Sequence, residues 1–141
     1  EAVGEKYLDK YFETIKRSLN VNGAAAIQGI TIRDDLFERY RSSEDFIQKY
    51  IFPGGFLPSL GFMKSLIKKN NLNLLKVNSY PDDYAKTLAI WRENFLKVWS
   101  NIAPLGYNET FKRMWEFYLS YCEAGFKSKN IDLIQFSMSN K

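Results

Sequence analysis

"GAAAIQGITI", residues 23–32, is a run of small and β-branched apolar residues set between "NVNG" and "RDD". Its length, its composition and the turn-forming neighbours at both ends read as a buried β-strand, with "RDD" marking its exit. Gln28 interrupts it. An amide buried without a partner costs about 1–3 kcal/mol, so either the core supplies a partner or the strand opens onto a site. Ahead of it, Leu8, Tyr11, Phe12, Ile15 and Leu19 follow the spacing of an amphipathic helix over residues 5–19, which Gly23 is expected to stop. Helix, short turn and apolar strand make half of an α/β crossover unit, which sets the fold class as α/β.

Downstream, "SSEDFIQKYIF" carries a helix-start signature at its serines and ends at "PGG", residues 53–55. "LPSLGFMKSLIKKNN" reads as a second helix with Pro58 near its first turn and Asn70 and Asn71 at its end. "LNLLKVNSY", residues 72–80, alternates as a strand, so the stretch before it is expected to form a helical lid between two strands. Tyr84, Leu88, Trp91, Phe95, Val98 and Ile102 predict one long helix, ended by Pro104 and Gly106. The next helix starts at Asn108 as cap and carries Phe111, Met114, Tyr118, Cys122 and Gly125 on one stripe. A third strand, about 130–138, alternates apolar and polar residues. One domain spanning 1–141 is expected.

Composition narrows the chemistry. The 141 residues are 45% hydrophobic and 16% aromatic, which excludes disorder and suits a core, an apolar pocket or a lipid-facing surface. A net charge of +4 is too small and too spread out to point to nucleic acid. Cys122 is the single cysteine, so no intrachain disulfide forms and a reducing cytoplasm fits. Without histidine, imidazole bases and His-based triads are excluded, and no metal site is expected. No run reaches the ~20 apolar residues that span a bilayer. The chain opens on "EAVGEKYLDKYF" without an initiator Met and is expected to be part of something longer.

Among single residues, Glu5 suits the start of a helix, where the dipole favours a carboxylate, whereas Glu1 has no such local explanation. Tyr84, just after "PDD", is placed to turn its hydroxyl into a pocket while its ring packs. Gly54 and Gly55 lack the surroundings of a phosphate loop and read as a turn. Lys64, Lys68 and Lys69 make a basic helix end, either a solvated face or a patch for anionic phospholipid.

Taken in order, "EAVGEKYLDKYFETIKRSL", "GAAAIQGITI", "FIQKYIFPGGFLPS", "YAKTLAIWRENF" and "FKRMWEFYLSYCEAGF" closely resemble the C-terminal half of the cyclopropane-fatty-acyl-phospholipid synthase family. That family includes the mycolic acid cyclopropane synthases and related fatty-acid methyltransferases. The resemblance implies a class I S-adenosylmethionine-dependent methyltransferase fold, Rossmann-like, of which this chain holds the C-terminal half. Residues 23–32, 72–80 and 130–138 would be its fifth, sixth and seventh strands. The seventh would lie antiparallel between the other two, and the middle helices would be a lipid-facing insertion. The family's glycine-rich cofactor loop lies in the N-terminal half and no G-x-G occurs here, so the S-adenosylmethionine site is expected mostly outside this chain.

What the resemblance implies for chemistry is attack of an acyl-chain alkene on the sulfonium methyl, with the resulting carbocation shielded by aromatic faces and a proton taken by bound bicarbonate. Its bicarbonate ligands fall on Glu1, on Ile30 through a backbone amide, and on Tyr84. The family's histidine position falls on Gln28, which can donate a hydrogen bond but cannot relay a proton. The expected product is a cyclopropane ring, with a methylene or methyl branch as the alternative. The expected partners are an unsaturated phospholipid or fatty acyl substrate at the inner face of the membrane, reached from the cytoplasm. A non-catalytic lipid- or protein-binding domain is the reading from another class. An unpaired edge on residues 23–32 further predicts a homodimer of this piece.

Overall fold

Three strands form one sheet among residues 2–140, the part of the chain that the computed structural model describes: β1 (Ala24–Ile32), β2 (Leu72–Ser79) and β3 (Ile131–Asn140). Their order is β1-β3-β2, with β3 antiparallel to both neighbours, as the resemblance implies. Period-two alternation gives the sheet one apolar face. Ile134, Phe136 and Met138 of β3 are buried on it, with Ala25 and Ile27 packed from β1 and Leu74 and Val77 from β2. A register shift between Leu74 and Lys76 lets β2 keep this alignment. The opposite face carries Gln28, Gln135 and Asn78 side by side.

The chain divides into two compact units, one holding the residues up to Tyr80 together with β3, the other Pro81–Asn130. In the first, α1 (Glu5–Ser18) and α4 (Leu60–Lys69) cover the apolar face. Leu8 and Phe12 from α1 and Met63, Leu66 and Ile67 from α4 join Leu72 and the strand residues in one core. The stretch expected to be a lid therefore belongs to the body of this unit, since Phe37, Phe56 and α4 are all built into its core. α4 is capped by Ser59, whose hydroxyl accepts from the Phe62 N–H at 3.1 Å. Pro58 lies before the helix, where its carbonyl accepts from the Ile32 N–H.

Several boundaries differ from the sequence reading. "RDD" does not close β1 into a loop: Asp34 opens α2 (Asp34–Arg41), with both aspartates in the first turn where the dipole favours them. α3 (Phe46–Tyr50) is capped by Asp45 rather than by the serines, in a reciprocal box with Gln48. The left-handed residue after α1 is Asn22, at φ 61°; Gly23 is needed because a Cβ there would meet the Asn20 carbonyl oxygen at 2.9 Å. β1 is also less buried than its composition suggests. Burial alternates along it, Thr31 and Ile32 are buried, and Gln28 is exposed.

In the second unit, α5 (Pro81–Lys97) stops at Val98 and is followed by the short α6 (Trp99–Ile102) and a 3-10 turn (Ala103–Leu105), so the apolar stripe from Tyr84 to Ile102 is not one helix. α7 (Glu109–Lys127) packs on α5 through Leu119, Glu123 and Phe126, with Ala85 and Leu88 buried on α5. The buried stripe of α7 is thus displaced by a residue from the predicted one. Its charged member, Glu123, is 6% exposed and is matched by Lys127 at 2.5 Å and Arg92 at 3.0 Å. Asn108 caps α7 as predicted, its side-chain oxygen accepting from the Phe111 N–H at 2.9 Å. Asn108→Ala is expected to lower stability by about 1 kcal/mol, read by urea unfolding, with a Gly substitution losing only a few tenths. No helix among the described residues is long and apolar enough to cross a membrane.

Candidate functional site

Gln28 and Ile30 fall on β1 at positions that the strand alternation puts on the same, non-core side. Both are among the residues lining a cleft of about 270 Å³ along β1, whose walls also include Ala2, Val3 and Tyr11 and, from the core side, Phe12, Met63 and Phe136. Gly4 makes this wall possible. It sits at φ 69° before α1, where an added Cβ would approach the Gly54 carbonyl oxygen at 3.2 Å, and it brings Ala2 and Val3 beside β1. Glu1 lies outside the described residues.

The Gln28 amide is not stranded. Its Oε1 accepts from the Gln135 Nε2 at 3.0 Å, across the β1–β3 pair in which the two residues are directly opposed. This leaves the Gln28 Nε2 hydrogens with no protein partner among the described residues. A small anion needs such a donor at the rim of a cleft. Gln135 escaped the sequence reading, because its alternation marks only a solvent-facing strand residue and nothing local shows which strand it meets.

Tyr84 belongs to the other unit. It stands in the first turn of α5, half-buried, with its ring edge-on to Phe126 at 4.9 Å and to Trp91 at 6.1 Å. Its ring is therefore fixed by packing, as the sequence reading supposed.

A larger depression of about 450 Å³ lies over α1, α2 and α4 and is lined by Glu5, Lys6, Asp9 and Arg41. Its charges are largely committed to one another. Glu5 pairs with Arg41 at 2.5 Å and Asp9 with Lys69 at 2.7 Å. Of the basic helix end, Lys69 is thus tied to α1, while Lys64 and Lys68 are exposed. The hydrogen bond from Lys69, and next that from Asn70, hold the Asp9 carboxyl below its usual value of 3.8. A carboxyl depressed in the folded state adds stability above its unfolded pKa and loses it as pH falls through the folded one. Asp9→Asn is accordingly expected to lower the melting temperature slightly near neutrality, with the difference from wild type closing as pH falls below the ordinary carboxylate range.

The family model described as mycolic acid cyclopropane synthetase matches residues 1–136. The tuberculostearic acid methyltransferase UfaA1 of Mycobacterium tuberculosis is 39% identical over 98% of this chain, which covers 33% of that protein. The cyclopropane-fatty-acyl-phospholipid synthase of Escherichia coli is 34% identical over 99% of this chain and 35% of its own length. The crystal structure of the mycolic acid cyclopropane synthase CmaA1, complexed with SAH and CTAB, superposes with a TM-score of 0.88 at 26% identity, over 99% of this chain and 52% of that one. The chain spans about a third of the length of these curated relatives.

Proposed function

The chain belongs to the mycolic acid cyclopropane synthetase family, and on that premise we propose that it serves S-adenosylmethionine-dependent transfer to the double bond of an unsaturated fatty acyl chain of a phospholipid, closing a cyclopropane ring. The observation that carries this reading is the family match over residues 1–136. The cleft lined in part by Gln28 and Ile30 supports putting the site there.

In the proposed reaction a new bond forms between an alkene carbon and the transferred methyl as the methyl–sulfur bond breaks. The electron pair of that bond stays on sulfur, and the acyl chain is left as a carbocation. Loss of a proton from the transferred methyl closes the ring. S-adenosylmethionine supplies the electrophilic methyl, and bicarbonate supplies the base that takes the proton. With no glycine-rich G-x-G in the sequence, we assign none of these residues to the methyl donor. Bicarbonate fits better: the Nε2 of Gln28, without a partner among the described residues, is a neutral donor suited to an anion, and Ile30 lines the same cleft as Gln28. Tyr84 and Glu1 are proposed as its further ligands. Aromatic faces would shield the cation from water.

The product separates two readings within the family. The similarity to a tuberculostearic acid methyltransferase favours a methyl or methylene branch as the second reading. The intact protein that carries this chain, incubated with an unsaturated phospholipid and S-adenosylmethionine, is expected to add one carbon to the acyl chain by mass spectrometry, and proton NMR of the product distinguishes ring from branch. No mass gain on any unsaturated lipid would overturn both. We further propose that the reaction takes place at the inner face of the membrane, where the exposed Lys64 and Lys68 suit anionic headgroups.

A further inference from the structure

We propose that Gln135 is a positioning residue that aims Gln28 at the bound anion. The inference rests on the reading of Gln28 as an anion ligand. An exposed glutamine amide can turn end for end with little steric cost, and the two ends have opposite polarity. Presented by its Nε2, Gln28 binds an anion; presented by its Oε1, it repels one. Gln135 sits directly opposite on β3, and its Nε2 donates to the Gln28 Oε1 at 3.0 Å. With Oε1 engaged on the sheet side, the Nε2 hydrogens are the end left to donate. Once an anion accepts from them, the two amides form a donor chain running from Gln135 through Gln28 to the anion, in which each bond polarises the next. The reverse pairing, in which Gln28 donates to Gln135, turns its Oε1 outward and leaves one Nε2 hydrogen for the anion where the observed pairing leaves two.

The positions fit this role. Gln28 and Gln135 are central in their strands and stand on the non-core face, so the pair is not needed to fill the core. Both are exposed, so substitution at Gln135 leaves the packing of Ile134 and Phe136 in place.

The test uses the intact protein and follows activity against bicarbonate concentration and pH. Gln135→Leu, which keeps bulk and removes the donor, is expected to raise the half-saturating bicarbonate concentration roughly five- to tenfold, with kcat at saturating bicarbonate near wild type. Gln135→Glu is expected to do more damage. The introduced carboxylate accepts from the Gln28 Nε2, turns Oε1 outward and adds a negative charge near the anion. Its activity is expected to recover as pH falls and that carboxyl takes up a proton, a response that a structural role would not produce. In a Gln28→Ala background, Gln135→Leu is expected to have no further effect on bicarbonate dependence. Wild-type bicarbonate dependence in both Gln135 variants, with Gln28→Ala impaired, overturns the positioning role and leaves the reading of Gln28 standing. If Gln28→Ala is also without effect, both fall together.

Discussion

Gln28→Ala in the intact protein is expected to lower turnover about a hundredfold, the usual cost of removing one fixed donor from a site where charge is bound, while the melting temperature stays within a degree or so of wild type. The reason lies in the contrast between its surroundings and its partners. Gln28 is exposed on the non-core side of β1 and shares one hydrogen bond, with Gln135, so truncation opens no core cavity. What is lost is the amide donor of a residue that lines the cleft together with Ile30. Parallel thermal melts and product assays check the two halves of the expectation. Turnover equal to wild type would return Gln28 to an ordinary place on a strand surface. Gln28→His restores the residue that the family resemblance puts there and is expected to keep activity, with a new pH dependence near the imidazole pKa.

Phe12→Ala is expected to have a different profile, a loss of about 3–5 kcal/mol of stability, with any further change in activity coming from the wall it gives to the cleft. Phe12 is 2% exposed on the inner face of α1, beside Leu8, within the core formed with α4 and the sheet. Its ring meets Tyr11 edge-on at 5.7 Å. Removing it deletes a buried aromatic and leaves a void that helix and sheet cannot both close over. Denaturant unfolding of the intact protein measures the loss. Val21→Ala, at a residue 88% exposed in the turn after α1, serves as the contrast and is expected to change stability by less than about 0.5 kcal/mol. A small effect at Phe12 would mean that α1 is not held to the sheet as described.

These two residues also show how far sequence patterns reach. Phe12 was legible because helical periodicity repeats the same choice at Leu8 and Ile15, and one apolar stripe has one buried face. Glu123 was not legible, because a charged residue is read as exposed until Arg92 and Lys127 are seen beside it. The stripe of α7 was read a residue away from its true centre for a related reason. Aromatics surround that helix on several sides, and only its packing on α5 chooses Leu119, Glu123 and Phe126 as the buried set. α2 was missed because eight residues, five of them charged, with Phe37 as their single buried member carry too little periodicity to stand out.

Of the candidate site, Gln28 was visible as an amide in a strand and Ile30 came only from the family resemblance; both are among the residues lining one cleft. Tyr84 is found with its ring packed in the second unit, and Glu1 lies outside the described residues.

The sequence by itself determined the three strands and the cap at Asn108, because a period of two or 3.6 and a cap before it are written locally. It carried the family in its ordered words. The tertiary structure decided which strand lies beside which. The order β1-β3-β2 sets Gln135 opposite Gln28 across 107 positions of chain. Alternation can say that each faces outward, but the closure of so long a loop is settled by the whole core, and with it the direction in which one amide points.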